Sequence, residues 1–429
     1  MNVLSQPTTD LPFANHRIFF SVIFEPMQKT KNPLVFVFIT VLIDCIGIRI
    51  IYPVAASIVS EVSRVSVNEA VTYSGWMMAA YAIMQFIFSP ILGALSDRFG
   101  RRPVLLISLM GLGIDYLFLA LANTLPLLFL GRIIAGICGA SLTTSFAYVA
   151  DISPPEKRAQ NFGIIGAAIG LGFIIGPFMG GMLSEFGTRV PFFASAVLAL
   201  LNWLYGFFIL PESLKIENRR KFNLKRANPF GAFIHLKKNK AIRMLLIALF
   251  FIFISGQVMP AIWPFYTKYL YKWSDLEIGY SLAFVGVMVA IVKGGLIRWT
   301  QKQFGPIGSV YIGLLFYMVG LSLFAYANQP WMVYAFTLVY CLGGVAPPSL
   351  QAIISGRMLP NEQGELQGII TSLISLSNIL SPLIMTHLFY FFTKENAPIH
   401  FPGAAFAAAA LFVLFAFVLS MMELKKKTN

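Results

Sequence analysis

The chain alternates between long apolar runs and short polar connectors. Twelve runs have about 20 residues, the length that an α-helix needs to cross the hydrocarbon core of a bilayer. Charged residues make up only 12% of the chain, whereas soluble domains average about 25%. The pattern predicts an all-α membrane protein with twelve transmembrane helices. The runs lie near residues 34–60, 71–95, 103–122, 126–150, 160–184, 190–210, 242–267, 277–299, 307–327, 330–356, 366–392 and 401–422.

A basic segment divides these runs into two groups of six. We predict an N-terminal tail at 1–32, a six-helix half at 33–211, a linker at 212–241, a second half at 242–422 and a tail at 423–429. Lys and Arg collect in the connectors after even-numbered runs and at the C-terminus, which places both termini in the cytoplasm. The net charge of +14 therefore indicates contact with anionic lipid rather than nucleic acid. Translation can start at Met1 or at Met27.

The connector at 93–103, which we call the signature turn, has the sequence GALSDRFGRRP. Gly100 permits a sharp turn, and Pro103 suits the first turn of the following helix. Gly93 allows close approach by another backbone. Asp97 is placed to pair with Arg101 or to face a helix N-terminus. Its counterpart at 295–305 keeps glycines and cations but has no acidic residue.

Glycines mark two predicted helices for close packing. The fourth run carries Gly136, Gly139 and Ala140 on one face. The fifth run has four glycines around Pro177 within 172–181, and the proline can bend the helix.

These motifs resemble those of the major facilitator superfamily. The fifth run resembles the antiporter signature of drug exporters, and residues 32–423 are similar to the tetracycline–proton branch of the twelve-helix drug:proton antiporters. Further matching stretches are Ile114–Leu117, Gly131-Arg132, Phe162-Gly163, Leu210–Ser213, Gly256-Gln257, Gly343-Gly344 and Gln363–Gly368.

The resemblance implies two six-helix halves that rock about a midplane site, with energy from a proton gradient. It also implies a monomer in a prokaryotic inner membrane that moves a small molecule and needs no cofactor or metal. The residues expected to act in gating are Gly93, Asp97, Arg98, Gly100, Arg101, Arg102, Asp151, Gly172, Gly176, Pro177 and Gly180.

Acidic residues within membrane helices are costly and are commonly functional. Asp44 in the first run and Asp115 in the third match acidic positions of the family, and both are candidates for proton coupling. Arg132 is expected near the cytoplasmic end of its helix, where it either snorkels or modulates such a carboxylate. Each acid can instead be a structural partner of a cation.

Two cations depart from the tetracycline branch. Arg49 stands where that branch has a small residue, and Lys293 replaces a neutral polar one. The branch's nearby histidine corresponds to Val289, and its acidic residue in the ninth helix to Tyr317. Arg49 lies about 140° around the helix from Asp44, so a direct pair requires a bend or a bridging helix. The positive shift suggests an anionic substrate, such as a polycarboxylate or a carboxylate siderophore, bound by Arg49 and Lys293. Snorkelling or pairing elsewhere is the alternative.

Polar and aromatic residues complete the candidate substrate site. Tyr81 and Gln85 share one helix face. Gln257, followed by two prolines, predicts a broken seventh helix with exposed carbonyls, and Asn378 precedes a proline bend. The candidates are Tyr52, Tyr81, Gln85, Gln257, Trp263, Tyr317, Gln351 and Asn378, with Asn202 as a further polar residue.

Three hypotheses follow: a proton-coupled exporter of organic molecules, a transporter of an anionic metabolite or siderophore, and a non-transporting sensor or channel. An enzyme is disfavoured because the sequence has no phosphate loop and its four histidines are scattered. The lack of a nucleotide motif also argues against an ATP-driven pump. The three cysteines lie in apolar runs, which is typical of packing residues.

Overall fold

The computed structural model describes residues 33–139, 141–220, 240–359 and 362–425. The predicted tail at 1–32, most of the linker, the end of the C-terminal tail and Ala140 lie outside these ranges. All regular secondary structure within them is helical.

The first half contains α1a (Pro33–Ile50), α1b (Ala55–Ser63), α2 (Val67–Phe99), α3 (Arg101–Leu121), α4a (Leu125–Cys138), α4b (Ser141–Ile152), α5 (Arg158–Ser184) and α6 (Val190–Ile209). The second half begins with α7a (Lys240–Gly256), α7b (Val258–Tyr271) and α8 (Asp275–Ile291). A π-helical turn, Val292–Leu296, carries α8 into the helical segment Ile297–Ala325, which Gly305 divides; α9 is the part after Gly305. The chain ends with α10a (Pro330–Leu342), α10b (Ala346–Ser355), α11 (Gln363–Thr393) and α12 (Ala404–Lys425).

Eleven helical stretches of the described residues are long and apolar enough to span a membrane. The longest, Asp275–Ala325, has 51 residues and includes the non-helical Gly305, so it crosses twice. Twelve crossings result, as the sequence predicts.

The two halves repeat each other most clearly in α2 and α8. Ser66 caps α2 and Ser274 caps α8, each in a capping box with the glutamate three residues later. α2 ends at Phe99-Gly100, and the helical stretch that continues α8 past the π-helical turn ends at Phe304-Gly305; both glycines have a positive φ, 107° and 68°. Only glycine adopts these angles without strain, so both turns are sharp. Ser66 and Gly100 extend α2 at both ends beyond the predicted 71–95.

Four transmembrane helices are divided into two α-helical segments within the described residues. α1 breaks at residues 51–54, α4 after Cys138, α7 at Gln257 and α10 at the 3₁₀ turn Gly343–Val345. The break at Gln257 confirms the prediction made from the prolines that follow it. α11, by contrast, is one continuous helix through Pro382.

The helices that join the halves are α2, α5, α8 and α11. α5 packs along α8, and α2 packs along α11. Within the first half α1a lies against α5, so α5 connects the first helix to the second half. Any residue on the α1a–α5 face is therefore close to the boundary between the halves.

Candidate functional site

The halves touch at one end of the bundle and separate at the other. At the closed end, a Cβ added to Gly181 of α5 would lie 3.1 Å from Gly279 Cα of α8. A Cβ added to Gly75 of α2 would likewise collide with the side chain of Thr386 of α11. At the open end, which carries the signature turn, described atoms leave at least 4 Å free around the Cβ position of Gly163, Gly166, Gly170, Gly294, Gly295, Gly364 and Gly368. The bundle is therefore open toward the signature turn.

Gly93 belongs to this open end. The expectation of close backbone approach there was wrong for this conformation, because no described atom lies within 4 Å of its Cβ position. α2 and α11 have already diverged at that level.

The signature turn folds around a buried arginine. Arg101 Nη1 lies 2.6 Å from Asp97 Oδ1, and its Nε donates to Asp151 Oδ2 at 3.0 Å. The predicted Asp97–Arg101 pair is therefore confirmed, and Asp151 joins it from α4b. Arg98 lies outside this cluster, with its guanidinium 4.9 Å from the ring of Phe99.

Glu212 completes the turn from the end of the first half. Its carboxylate accepts hydrogen bonds from the backbone N–H groups of Arg101 and Arg102, at 2.8 and 3.2 Å. These are unpaired N–H groups at the start of α3, where a negative charge also complements the helix dipole. The Arg102 side chain reaches back to the Phe207 carbonyl at 2.8 Å. The turn is thus held to the end of α6.

A glycine face presses α5 against α1a. Gly172, Gly176 and Gly180 recur every four residues, and Cβ atoms added at Gly172 and Gly176 would meet those of Cys45 and Arg49 at 2.5 and 2.7 Å. A Cβ at Gly180 would meet the carbonyl of Ile50. The predicted glycine packing of this helix is confirmed.

We expect Gly180→Ala to force α1a and α5 apart, because the added methyl meets backbone rather than a movable side chain. Overpacking of this kind costs about 1–3 kcal/mol, so the thermal unfolding midpoint in detergent should fall. Gly163→Ala on the same helix is the matched control, since it enters open space and should leave the midpoint unchanged or higher. Equal midpoints for the two variants would contradict the packing.

Asp44 lies inside this packed region. It is 6% exposed and accepts a hydrogen bond of 2.6 Å from Ser141 Oγ, at the start of α4b. The break in α4 after Cys138 brings Ser141 to this position. Among the described residues no ion pair joins Asp44 to Arg49, in keeping with their 140° separation on α1a.

Arg49 lies across the boundary between α1a and α5. Its guanidinium carbon is 4.0 Å from the centre of the Phe173 ring, a cation–π contact. Its Nε is buried without a hydrogen-bond partner among the described residues. Phe173 in turn lies beside α8, where a Cβ added to Gly286 would approach its carbonyl oxygen at 3.0 Å. The Arg49 charge is therefore near the boundary between the halves, and no described acid forms an ion pair with it.

Asp115 pairs with Arg132. The carboxylate is fully buried, and Arg132 Nη2 lies 3.4 Å from its Oδ2. The predicted position of Arg132 was wrong: it is about two turns from the start of α4a, near the closed end. Asp151, at the other end of the same broken helix, marks the open end. The oxygen Oδ1 of Asp115 has no described partner.

Tyr81 and Gln85 lie together on α2, as predicted. Gln85 Nε2 donates to Tyr81 Oη at 3.1 Å and to the Gly139 carbonyl at 3.3 Å. That carbonyl belongs to the break in α4, so the pair and Ser141 flank the same interruption. Tyr52 is half-buried in the break of α1.

In the second half, Gln257 Nε2 donates to Asn378 Oδ1 at 2.6 Å, which joins the break in α7 to α11. Gln351 is half-buried on α10b. Lys293 is exposed in the π-helical turn, two turns beyond Gly286 toward the open end, a rise of about 10 Å. π-turns are frequent at functional sites.

Trp263, Tyr317 and Asn202 are not placed as the sequence suggested. Trp263 is fully buried, and its Nε1 donates to Ser281 Oγ at 2.9 Å. Tyr317 is 7% exposed and packs against Tyr340 with ring centres 5.2 Å apart. The Asn202 amide donates to the Thr40 carbonyl at 2.9 Å and ties α6 to α1a. All three stabilise the packing of a half in this conformation.

Ser141, Phe173 and Glu212 were not assigned these roles from sequence. Glu212 stood within a matching stretch, but only the fold brings it to the start of α3. Ser141 follows Gly139, so a helix break beside a hydroxyl was a usable signal. Phe173 offered none, because an aromatic residue in an apolar run is ordinary packing.

Comparisons with known proteins agree with this geometry. The family model described as Major Facilitator Superfamily matches residues 37–382. The tetracycline resistance protein, class C, of Escherichia coli is 38% identical over 362 residues, covering 84% of this chain and 91% of that protein.

Two solved structures resemble the fold. A bacterial homolog of the human lysosomal transporter Spinster, inward-facing and occupied, has a TM-score of 0.76 at 16% identity and covers 92% of this chain and 98% of its own. The human organic anion transporter MFSD10 has a TM-score of 0.68 at 23% identity, and the match covers 92% of this chain and 100% of that structure. These likenesses concern the fold. With the sequence match over most of its length, the chain belongs to the Major Facilitator Superfamily and is a multi-pass membrane transporter of small molecules, not an enzyme.

Proposed function

We propose that this protein exports a small organic molecule across a bacterial inner membrane in exchange for protons. In this proposal the basic connectors lie in the cytoplasm, so the end that carries the signature turn opens to the cytoplasm and the described conformation is inward-facing. The observation that carries the proposal is Asp44, a buried carboxylate on the α1a–α5 face that accepts a hydrogen bond from the neutral Ser141 hydroxyl. The 38% identity to a tetracycline resistance protein supports the export direction.

Protons bind at two carboxylates in this account. Asp44 accepts its hydrogen bond from a hydroxyl, so its protonation breaks no ion pair among the described residues. Asp115 is the second carboxylate, and it is paired with Arg132. Proton binding at Asp44 then changes the net charge next to the boundary between the halves, which must open and close.

The signature turn and the α5 glycines act in gating. When the open end closes, the turn approaches α11, and Gly93 provides the room. Arg101 keeps the turn rigid through Asp97 and Asp151, whereas Gly172 and Gly176 let α1a and α5 move as one body.

A second candidate concerns the charge of the substrate. Arg49 lies near the boundary between the halves with no acidic partner among the described residues, and Phe173 provides a flat face against its guanidinium. Planar guanidinium groups bind carboxylates through paired hydrogen bonds. Lys293 lies toward the open end on α8. We propose that Arg49 binds an anionic group of the substrate and that Lys293 attracts it from the cytoplasm.

The other polar candidates are proposed to complete the pocket. They contribute neutral donors and acceptors at the helix breaks, where irregular backbone lines cavities in transporters. They are Tyr52, Tyr81, Gln85, Gln257, Gln351 and Asn378.

Ligand-triggered proton movement in proteoliposomes tests the function. The purified protein is reconstituted with a pH-sensitive dye inside the vesicles, and tetracycline, a lipophilic cation and a tricarboxylate are added in turn. We expect proton movement with at least one ligand and none in protein-free vesicles. A response to the tricarboxylate alone supports the anionic substrate, and a response to tetracycline or the cation alone contradicts it. Uptake of radiolabelled ligands without proton movement would contradict proton coupling.

A further inference from the structure

Three polar residues form a closed hydrogen-bonded ring at the closed end. Ser57 Oγ donates to Asp275, with 2.6 Å to either carboxylate oxygen. Lys268 Nζ donates to Ser57 Oγ at 2.5 Å and to Asp275 Oδ1 at 2.9 Å. We call these three residues the outer cluster. The motifs at the open end and the candidate substrate residues do not include any of them.

The ring joins the two halves through their equivalent helices. Ser57 is on α1b, the segment after the break in α1, and Lys268 is on α7b, the segment after the break in α7. Asp275 is the first residue of α8. The first and seventh helices begin the two six-helix halves, so the ring closes where equivalent segments meet.

Among the described residues, the other contacts across this end involve backbone groups or uncharged side chains. Gly181 of α5 lies against Gly279 of α8, and Asn68 Nδ2 donates to the Thr393 carbonyl at 3.1 Å. The outer cluster differs because its carboxylate and ammonium are only 12% and 28% exposed. A hydrogen bond to a partly buried charge is stronger than one between neutral groups.

Opening this end would break the ring at one place. Asp275 and Lys268 both belong to the second half, so their ion pair moves with that half. Ser57 alone belongs to the first half, and its hydroxyl makes both bonds that cross the boundary. The cost of opening is therefore concentrated in one neutral side chain, while no charge is left without a partner.

α1b also connects the ring to the candidate site. Arg49 precedes the break at 51–54 by two residues, and Ser57 is the third residue of the helix that follows. A displacement of α1a at Arg49 would thus reach Ser57 through one short turn.

We propose that the outer cluster is the latch of the closed end, and that the Ser57 hydroxyl sets the balance between the two conformations of the transport cycle. The latch stabilises the state open at the signature turn. It requires only that the protein alternates between two open ends, and neither the substrate nor proton coupling enters the argument.

The test measures the width of the closed end directly. Cysteines replace Phe186 and Tyr326, which follow α5 and α9 at this end and are 80% and 76% exposed. Both carry spin labels, and double electron–electron resonance gives their distance distribution in lipid nanodiscs without ligand. The protein without the added cysteines is the blank for labelling of its own three.

Ser57→Ala should raise the ratio of long to short distances about tenfold, the effect expected from losing a hydrogen bond to a charged group. Ser57→Thr keeps a hydroxyl and should restore the original ratio. Ser63→Ala is the matched control, since Ser63 lies on the same short helix and its hydroxyl donates to the Val59 carbonyl within that helix. It should leave the ratio unchanged.

A Ser57→Ala ratio equal to that of the Ser63→Ala control would overturn the latch. Because no ligand or gradient is present, that result would leave the proposed function standing. Conversely, absence of proton movement in the proteoliposome experiment would leave the latch standing.

Discussion

Asp44→Asn is expected to abolish ligand-triggered proton movement, to the level of protein-free vesicles, while the protein remains folded. Asparagine has nearly the shape of aspartate, and its carbonyl can still accept the hydrogen bond from Ser141. It cannot bind and release a proton, so any step that depends on this carboxylate stops. The proteoliposome dye signal measures the loss, and the elution profile on size exclusion in detergent measures folding.

Ser141→Ala distinguishes the role of the Asp44 carboxylate from the role of the hydrogen bond that it accepts. This variant keeps the Asp44 proton site but removes the hydrogen bond of 2.6 Å that positions the carboxylate. We expect proton movement to persist at a reduced rate. Proton movement in Asp44→Asn equal to that of the unaltered protein would assign the proton to another group, with Asp115 as the next carboxylate to replace.

Arg49→Gln is expected to weaken binding of an anionic ligand at least about tenfold, the loss typical of one hydrogen bond to a charged partner. Binding of an uncharged ligand should change little. Arg49→Lys should be intermediate, because it keeps the charge but loses the planar group that lies over Phe173. Scintillation proximity binding or isothermal titration in detergent provides the affinities.

The control for Arg49 is Arg64→Gln, which removes an exposed cation from the end of α1b. If the protein attracts anions only through its overall positive charge, the two variants should show the same loss of affinity for the anionic ligand. An effect confined to Arg49 would locate the anion at the α1a–α5 face. Unchanged affinity in Arg49→Gln would make this cation a structural partner of the Phe173 ring.

The helices were predictable because a bilayer imposes a length and an apolar composition on every crossing. Local chemistry also predicted some interruptions: two prolines after Gln257 mark the break in α7, and Gly100 marks the turn between α2 and α3. The Asp97–Arg101 pair followed from their four-residue spacing on opposite sides of that turn.

Residue contacts between distant segments were less accessible from sequence. Trp263 was expected to face the substrate, but composition does not reveal which face of an apolar helix is directed inward. Arg132 lies nearer the closed end than expected, because α4a begins at Leu125 and Arg132 is only about two turns further along. Glu212 lies 111 residues from Arg101, and only folding of all six helices brings its carboxylate to the start of α3.

Gly93 illustrates a limit of a different kind. A glycine that permits close approach is used only in the conformation that brings a neighbour to it. In a bundle open at the signature turn it faces empty space, and sequence alone does not specify the conformation. The same holds for Ser57 and Asp275, whose contact exists only while their own end of the bundle, the one away from the signature turn, is closed.

Proton-driven uphill accumulation is the measurement that tests the central claim most directly. Vesicles with an acidic lumen are made from the unaltered protein and from Asp44→Asn, and the labelled ligand found in the proton-movement experiment is followed. The account predicts accumulation above the external concentration with the unaltered protein, collapse on addition of a protonophore, and none with Asp44→Asn. Accumulation that survives the protonophore, or that Asp44→Asn retains in full, would contradict proton exchange at Asp44.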